Sequence, residues 1–312
     1  MRARTFFIGF LLPIAIFVAA VLLSFATGIR VPAPRISASE AFNEKSAWLR
    51  ERLAPTNCDV LVIGSSVALN DVDGREIAAR LKTSNVINAA SWGLNIEDLP
   101  TFYAHLTQHC KFRTVILATT YVDFESHWEK GIDWHAFERY LSGDQLKPYI
   151  ESPDLYYYTR RITAGWRDRT HPGNVDSLDF DHGGSVLLSC GRHDLSDDRV
   201  YAYHRNTISS ARPTAFKAFQ QLTAQIRADG ARFVIVSTPI EAVARKEFGA
   251  AAIQAFWQPI ETFARAQHVE FVYGQTQLAL EDNAFVDYLH LNRCGAERFT
   301  SWFLDSLHPT TS

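Results

Sequence analysis

The chain opens on an apolar run. From Phe6 to Thr27 (FFIGFLLPIAIFVAAVLLSFAT) no side chain is charged. At about 1.5 Å rise per residue, a helix of that length reaches across the roughly 30 Å hydrocarbon core of a bilayer. Pro13 lies inside the run, where membrane helices tolerate it better than soluble ones do. Arg2 and Arg4 precede the run, which predicts a cytoplasmic N-terminus and export of the rest of the chain. Arg30 and Arg35 behind it weaken that orientation without reversing it. The alternative is a cleaved signal peptide, with an apolar core of about 7–15 residues and a small-x-small cleavage site. This run is longer and no clean Ala-x-Ala cleavage site follows directly behind it, so the expectation is a retained single-pass anchor over residues 1–28.

Behind it the pattern changes. Val31 to about Ala38 is Pro-rich and polar, and Ser39 to Leu53 has helical character; residues 29–55 are expected to form a tether and a helix. From residue 56 onward, short continuous apolar runs alternate with helical stretches. The runs are Asp59–Ile63, Asn85–Asn88, Thr114–Ala118, Arg232–Ser237 and Val269–Tyr273. The helical stretches are Ile77–Leu81, about Ile96–Gln108, Pro213–Asp229, Ala251–Gln267 and about Gly295–Leu307. Uninterrupted β-branched runs separated by helices are the pattern of a parallel sheet covered on both faces. The prediction is an α/β domain over 56–312: a three-layer, doubly wound, flavodoxin-like sheet of five strands in the order 2-1-3-4-5.

One stretch breaks the rhythm. Residues 124–212 are rich in Trp, Tyr, His, Asp and Gly, and at about ninety residues they exceed an ordinary crossover. They are expected to be a partly helical insertion over the carboxyl ends of the strands, where long excursions shape ligand sites. Trp128, Trp134, Trp166 and Tyr156 to Tyr158 either stack against a glycan or pack the insertion onto the sheet.

Composition narrows the class. A hydrophobic fraction of 47% with 21% charged residues suits a chain with a large core, and a net charge of −3 offers no general attraction to nucleic acid. Cys58, Cys110, Cys190 and Cys294 contain no CxxC pair, which disfavours a zinc knuckle or thioredoxin-like site. In an exported domain four cysteines allow three disulfide pairings. The strand order places Cys58 and Cys110 at the amino ends of neighbouring strands, within disulfide reach. Cys190 and Cys294 form either a second bond or two free thiols. His182, His193 and His204 match no helix or knuckle spacing for a metal, and neither metal nor cofactor is expected.

Two motifs carry chemistry. Gly64-Ser65-Ser66 stands where the first strand ends and a helix begins, so a hydroxyl there sits beside free backbone N–H groups. Such a serine is also the ordinary N-cap. Near the other end lies Asp287-Tyr-Leu-His290-Leu-Asn292. Three-residue spacing lets the carboxylate orient the imidazole through Nδ1 and leaves Nε2 for a nucleophile.

Together and in this order, these blocks resemble the SGNH (GDSL-like) hydrolase superfamily. Ser66 matches the family nucleophile, with Ser65 where Asp is usual, and Asp287 and His290 match the last block. Asn88-Ala-Ala-Ser-Trp-Gly93 matches the second block, whose glycine N–H serves the oxyanion hole. The Gly-Ser-Ser and Asp-x-x-His-Leu-Asn variants look closest to envelope members of polysaccharide O-acetylation and teichoic-acid D-alanylation, and Asn292 falls within that last block. One block departs: where the family has Gly-x-Asn-Asp, this chain has Ala118-Thr-Thr-Tyr-Val-Asp123, leaving Thr120 or Tyr121 as hydroxyl donors or the third donor absent. Losing one oxyanion donor costs about 10²–10³ in turnover.

The resemblance implies acyl transfer through Ser66, with an acylated envelope carbohydrate or acyl donor as substrate and envelope acyl-transfer proteins as partners. It implies an extracytoplasmic domain. The alternative is a catalytically weak or silent glycan-binding or scaffold subunit on the same fold; a third reading is a lipase or thioesterase on small acyl substrates.

Overall fold

The computed structural model describes residues 32–53, 58–144, 147–170, 178–191 and 210–307, with Ile208 and seven positions between 9 and 19; the side chains of 165–170 and 276 are excepted. The elements are α1 (Glu40–Arg52), β1 (Val60–Ile63), α2 (Ser66–Asp71), α3 (Gly74–Leu81), β2 (Val86–Asn88), α4 (Leu99–His109), β3 (Thr114–Thr119) and α5 (Tyr121–Glu125). Then come α6 (Trp134–Leu141), α7 (Lys147–Glu151), α8 (Leu155–Thr170), α9 (Pro213–Ala228), β4 (Arg232–Ser237) and α10 (Ala242–Phe248). The chain continues through α11 (Ala250–Ala266), β5 (Glu270–Tyr273), the single turn α12 (Gly274–Gln277) and α13 (Arg293–Ser306).

All five strands run parallel in the order β2-β1-β3-β4-β5, as the apolar runs predict. Alternate side chains along each strand enter opposite layers. Leu61, Ile63, Val115, Leu117, Phe233 and Ile235 pack under α1, α4, α9 and α11. Val60, Val62, Ile116, Ala118, Val234 and Val236 pack under α2, α3 and α13. Both faces are therefore covered, which is why the strands read as unbroken apolar runs rather than as alternation.

The tether is not a loose linker. Ala33 and Ile36 are buried, and α1 contributes Phe42, Trp48 and Leu49 to the same core as the sheet. Lys45 of α1 is buried as well and donates to the carbonyls of Asn88 (2.9 Å) and Gly184 (2.5 Å). Burial drives its pKa well down, with Asp181 opposing.

Of the run Phe6–Thr27, the described positions are Gly9, Leu11, Leu12, Ile14, Ala15, Ile16 and Ala19, all helical. The rest lies outside the described residues. Among the described residues no helix is long and apolar enough to cross a membrane.

The insertion divides in two. Residues 181–188 lie at the carboxyl ends of β1 and β2: Gly183 O accepts from Asn88 N at 2.7 Å, and Val186 N donates to Leu69 O at 3.0 Å. Helices α6 to α8 instead pack on α1, α4 and the tether. Trp134 is the reason for α6: its ring meets Phe42, Phe102 and Phe137 and stacks on His105. Tyr157 and Tyr158 are buried too, so packing accounts for these three aromatics. Tyr156 and Trp128 keep exposed surface, and the Trp166 side chain lies outside the described residues.

Two disulfides close the domain. Cys58–Cys110 joins the chain just before β1 to the end of α4 ahead of β3, at a Cα separation of 6.0 Å. This is the pair that the strand order predicts. Cys190–Cys294, at 5.3 Å, ties the insertion to the first turn of α13 and decides the alternative between a bond and two free thiols.

Candidate active site

Ser66 owes its position to the glycine two residues before it. Gly64 has φ +144°, and a Cβ there would lie 2.3 Å from Ala118 O and 2.7 Å from the Ala68 Cβ. Only glycine lets the chain leave β1 this close to β3 and turn at once into α2. Ser65 is the N-cap residue of α2, but its hydroxyl does not cap the helix; it hydrogen-bonds to the Asp123 carboxyl. Ser66 is the first residue of α2, and its N–H has no partner among the described residues. Its hydroxyl thus stands at the carboxyl edge of the sheet beside an unused donor.

The opposing residues sit on a tight turn between Phe285 and Leu291, which pair as an antiparallel bridge. Val286 N donates to His290 O at 2.8 Å, and Asp287 Oδ1 accepts the N–H groups of Leu289 (2.9 Å) and His290 (2.7 Å). An aspartate accepting from residues two and three ahead builds such a turn from its own side chain. The same carboxylate takes His290 Nδ1 at 2.8 Å through Oδ2. His290 Nε2 lies 2.7 Å from Ser66 Oγ. The three residues named from the sequence are therefore in one hydrogen-bonded line, Ser66 to His290 to Asp287. With the ring neutral, Nε2 can take the Ser66 proton while Asp287 stabilises the cation that forms.

The surrounding charges favour that cation. Burial alone would lower the His290 pKa, but the hydrogen bond and charge of Asp287, with Asp71 and Asp123 behind, outweigh it and raise the ring. Asp287 is lowered overall: burial pushes it up, and the bonds to His290 and Leu289 pull it further down. Asp71 is fully buried and pushed well up by burial. Its Oδ1 accepts the Leu291 N–H at 2.8 Å while Oδ2 has no partner. Being the last residue of α2, Asp71 links the helix of Ser66 to the turn of His290. Asp123, also raised by burial, accepts from Ser65, Thr120 N and Thr119 Oγ1. Neither carboxyl was singled out in the sequence. The available signal was polar Asn70-Asp71 closing the apolar run Val67-Ala68-Leu69.

The oxyanion candidates separate. Ala89 N and Ser91 N donate to Val62 O and Gly64 O, so the loop carrying Gly93 runs beside the β1 turn. Gly93 has φ +69°, and a Cβ there would meet the Lys130 Cε at 2.3 Å. Lys130 thus lies over the glycine and brings a cation to that side. Thr120 is buried, and its hydroxyl accepts from Gln275 Nε2 at 3.3 Å. Tyr121 turns its ring against Phe248 and Phe256, with its hydroxyl buried and unpartnered. Asn292 caps α13 through Gly295 N and donates to Asn283 O, which engages its side chain in structure rather than at the site. Trp92 donates its indole N–H to Asn70 Oδ1. A cavity of about 410 Å³ is lined by Ser39, Trp92, Gly93, Lys130, Arg160 and Leu178, among others, but not by Ser66 or His290. It opens beside Gly93 rather than around the hydroxyl.

His182 lies against Arg52, while His193 and His204 fall outside the described residues. Among the described residues no group of three metal-ligating side chains is gathered. No protein-family model matches this chain, and no curated protein matches it either.

Proposed function

We propose that the protein is a membrane-anchored, exported serine acyl hydrolase or O-acyltransferase of the SGNH type, acting on ester groups of a cell-envelope carbohydrate. The observation that carries the proposal is the contact line Ser66 Oγ–His290 Nε2, His290 Nδ1–Asp287, at the carboxyl edge of a parallel sheet in the order 2-1-3-4-5. Ser66 attacks the ester carbonyl, His290 takes its proton, and the N–H groups of Ser66 and Gly93 face the developing oxyanion. The alcohol leaves with a proton from His290. Water then releases the acyl group as acid, or a sugar hydroxyl carries it away as a new ester. Two disulfides suit an oxidising, extracytoplasmic compartment, and the uncharged run Phe6–Thr27 suits a retained anchor. The test is hydrolysis of a chromogenic acetyl ester by the full chain beside Ser66→Ala; activity equal in the two proteins would end the reading.

A second reading, a silent or weak glycan-binding subunit on the same fold, is favoured by the third block alone. Tyr121 faces an aromatic cluster and Thr120 is held by Gln275, so no side chain there takes the place of the family's asparagine. Binding of envelope glycan with no turnover of any acyl ester would favour this reading over the first.

A further inference from the structure

The most exposed large apolar side chains among the described residues are neighbours. Ile150, Leu155 and Tyr156 are 71, 63 and 78% exposed, ahead of every other large hydrophobic. They fall on α7 and the first turn of α8. Single exposed apolar residues are ordinary, but three of this exposure within seven positions form a patch that calls for a partner.

The surroundings of the patch identify the partner. Tyr149, next to Ile150, donates its hydroxyl to Pro32 O at 2.8 Å. Tyr157, next to Tyr156, donates to Ala33 O at 3.2 Å, and the Tyr158 hydroxyl accepts the Arg35 N–H at 3.2 Å. Arg35 also pairs with Asp154. The elements that present the patch are thus the ones that clamp residues 32–35. From Pro32 the chain reaches Thr27, the end of the uncharged run, in five residues, a distance of at most about 18 Å. A patch fixed to that clamp cannot be far from the surface through which the run passes. Tyrosine with an apolar body and polar tip suits the headgroup level, and Ile and Leu suit the acyl boundary beneath it. Lys147 on α7 is exposed as well and matches anionic headgroups.

We infer that α7 and the start of α8 rest on the lipid bilayer, with Ile150, Leu155 and Tyr156 in its interface as a second membrane contact beside the anchor. This inference depends on Phe6–Thr27 being a retained span. The contact also orients the site. Arg161 of α8 bonds to Glu44 of α1 (2.8 Å), and Ser39 at the start of α1 donates to Trp92 O (3.4 Å), next to Gly93. A line of hydrogen bonds therefore runs from the bilayer contact to the loop of Gly93.

The test uses the full chain with its disulfides intact, reconstituted in phosphatidylcholine–phosphatidylglycerol vesicles and isolated by flotation. Nitroxide labels are placed through Leu155→Cys or Tyr156→Cys, with Lys217→Cys on α9 as the exposed control. The expected result is a several-fold loss of collisions with a water-soluble nickel chelate at 155 and 156 relative to 217, with oxygen collisions raised. Floating vesicles in which 155 and 156 meet the chelate as 217 does would overturn the inference and leave the anchor standing. Spin–spin broadening at 155 that scales with protein density would assign the patch to a second copy and overturn it too. A chain that does not float removes the anchor and the inference together, whereas ester hydrolysis is read separately.

Discussion

His290 is where the electrostatics of the site converge, because three carboxyl groups, Asp287, Asp71 and Asp123, raise its pKa against the effect of burial. A general base works in its neutral form, so kcat/KM for ester hydrolysis should rise with pH through a limb above the ordinary imidazole value. Asp287→Asn removes the strongest of these supports. The expected result is a limb at lower pH and a turnover reduced about 10²–10⁴-fold, since the ring then loses both tautomer control and its counter-charge; pH–rate profiles of the two proteins check it. Asp71 makes a separate claim on stability. Its folded pKa is raised above the unfolded one, so the folded state keeps a proton that the unfolded state has lost. The stability from that proton is complete below the ordinary carboxylate range and drains away as pH rises through the raised value. Asp71→Asn keeps an acceptor for the Leu291 N–H and removes the titration. Melting temperatures of wild type minus variant should therefore fall as pH is raised from acid toward neutral, and a constant difference would contradict the assignment.

Among the elements, the turn from β1 to α2 is the most constrained. Gly64→Ala places a methyl against Ala118 O and Ala68 at a positive φ, and we expect a loss of about 1–3 kcal/mol in denaturant unfolding with a larger fall in activity, because Ser66 moves with the turn. The Cys190–Cys294 bond holds the insertion where Leu188 O accepts the Arg293 N–H at 2.6 Å, at the first turn of α13. Cys294→Ser should cost about 2–5 kcal/mol of stability, and reduction of the wild type should lower activity in parallel, as both cysteines are exposed. The strands were legible in the sequence because residues buried on both faces leave continuous apolar runs. The start of α2 was read at Gly64-Ser65-Ser66, but helices α5 and α10 were not, since five and seven residues are too few to show a period. The docked tether was missed for another reason. Its polar, proline-rich composition reads as linker, and only the hydroxyls of Tyr149 and Tyr157, more than a hundred positions away, fix it to the domain.

At the scale of the whole molecule, motif order was enough to bring Ser66, Asp287 and His290 together across more than two hundred residues, because each block occupies the carboxyl end of a strand or the turn before the last helix. Asp71, Asp123 and Lys45 escaped notice since a buried charge in one sequence looks like any solvated one, and only the packed structure tells them apart. The aromatic insertion was legible as an excursion but not as packing, and among the described residues Trp134, Tyr149, Tyr157 and Tyr158 serve α1, α4 and the tether rather than an open cleft.

The central claim is that Ser66 is a nucleophile made reactive by His290 and Asp287. A fluorophosphonate probe tests it most directly, since it captures a serine only where a base removes the proton and donors receive the oxyanion. Mass spectrometry of the labelled full chain should find a single adduct on Ser66, absent in Ser66→Ala and formed far more slowly in His290→Gln. An unlabelled wild type, or an adduct that survives in Ser66→Ala, would contradict the account.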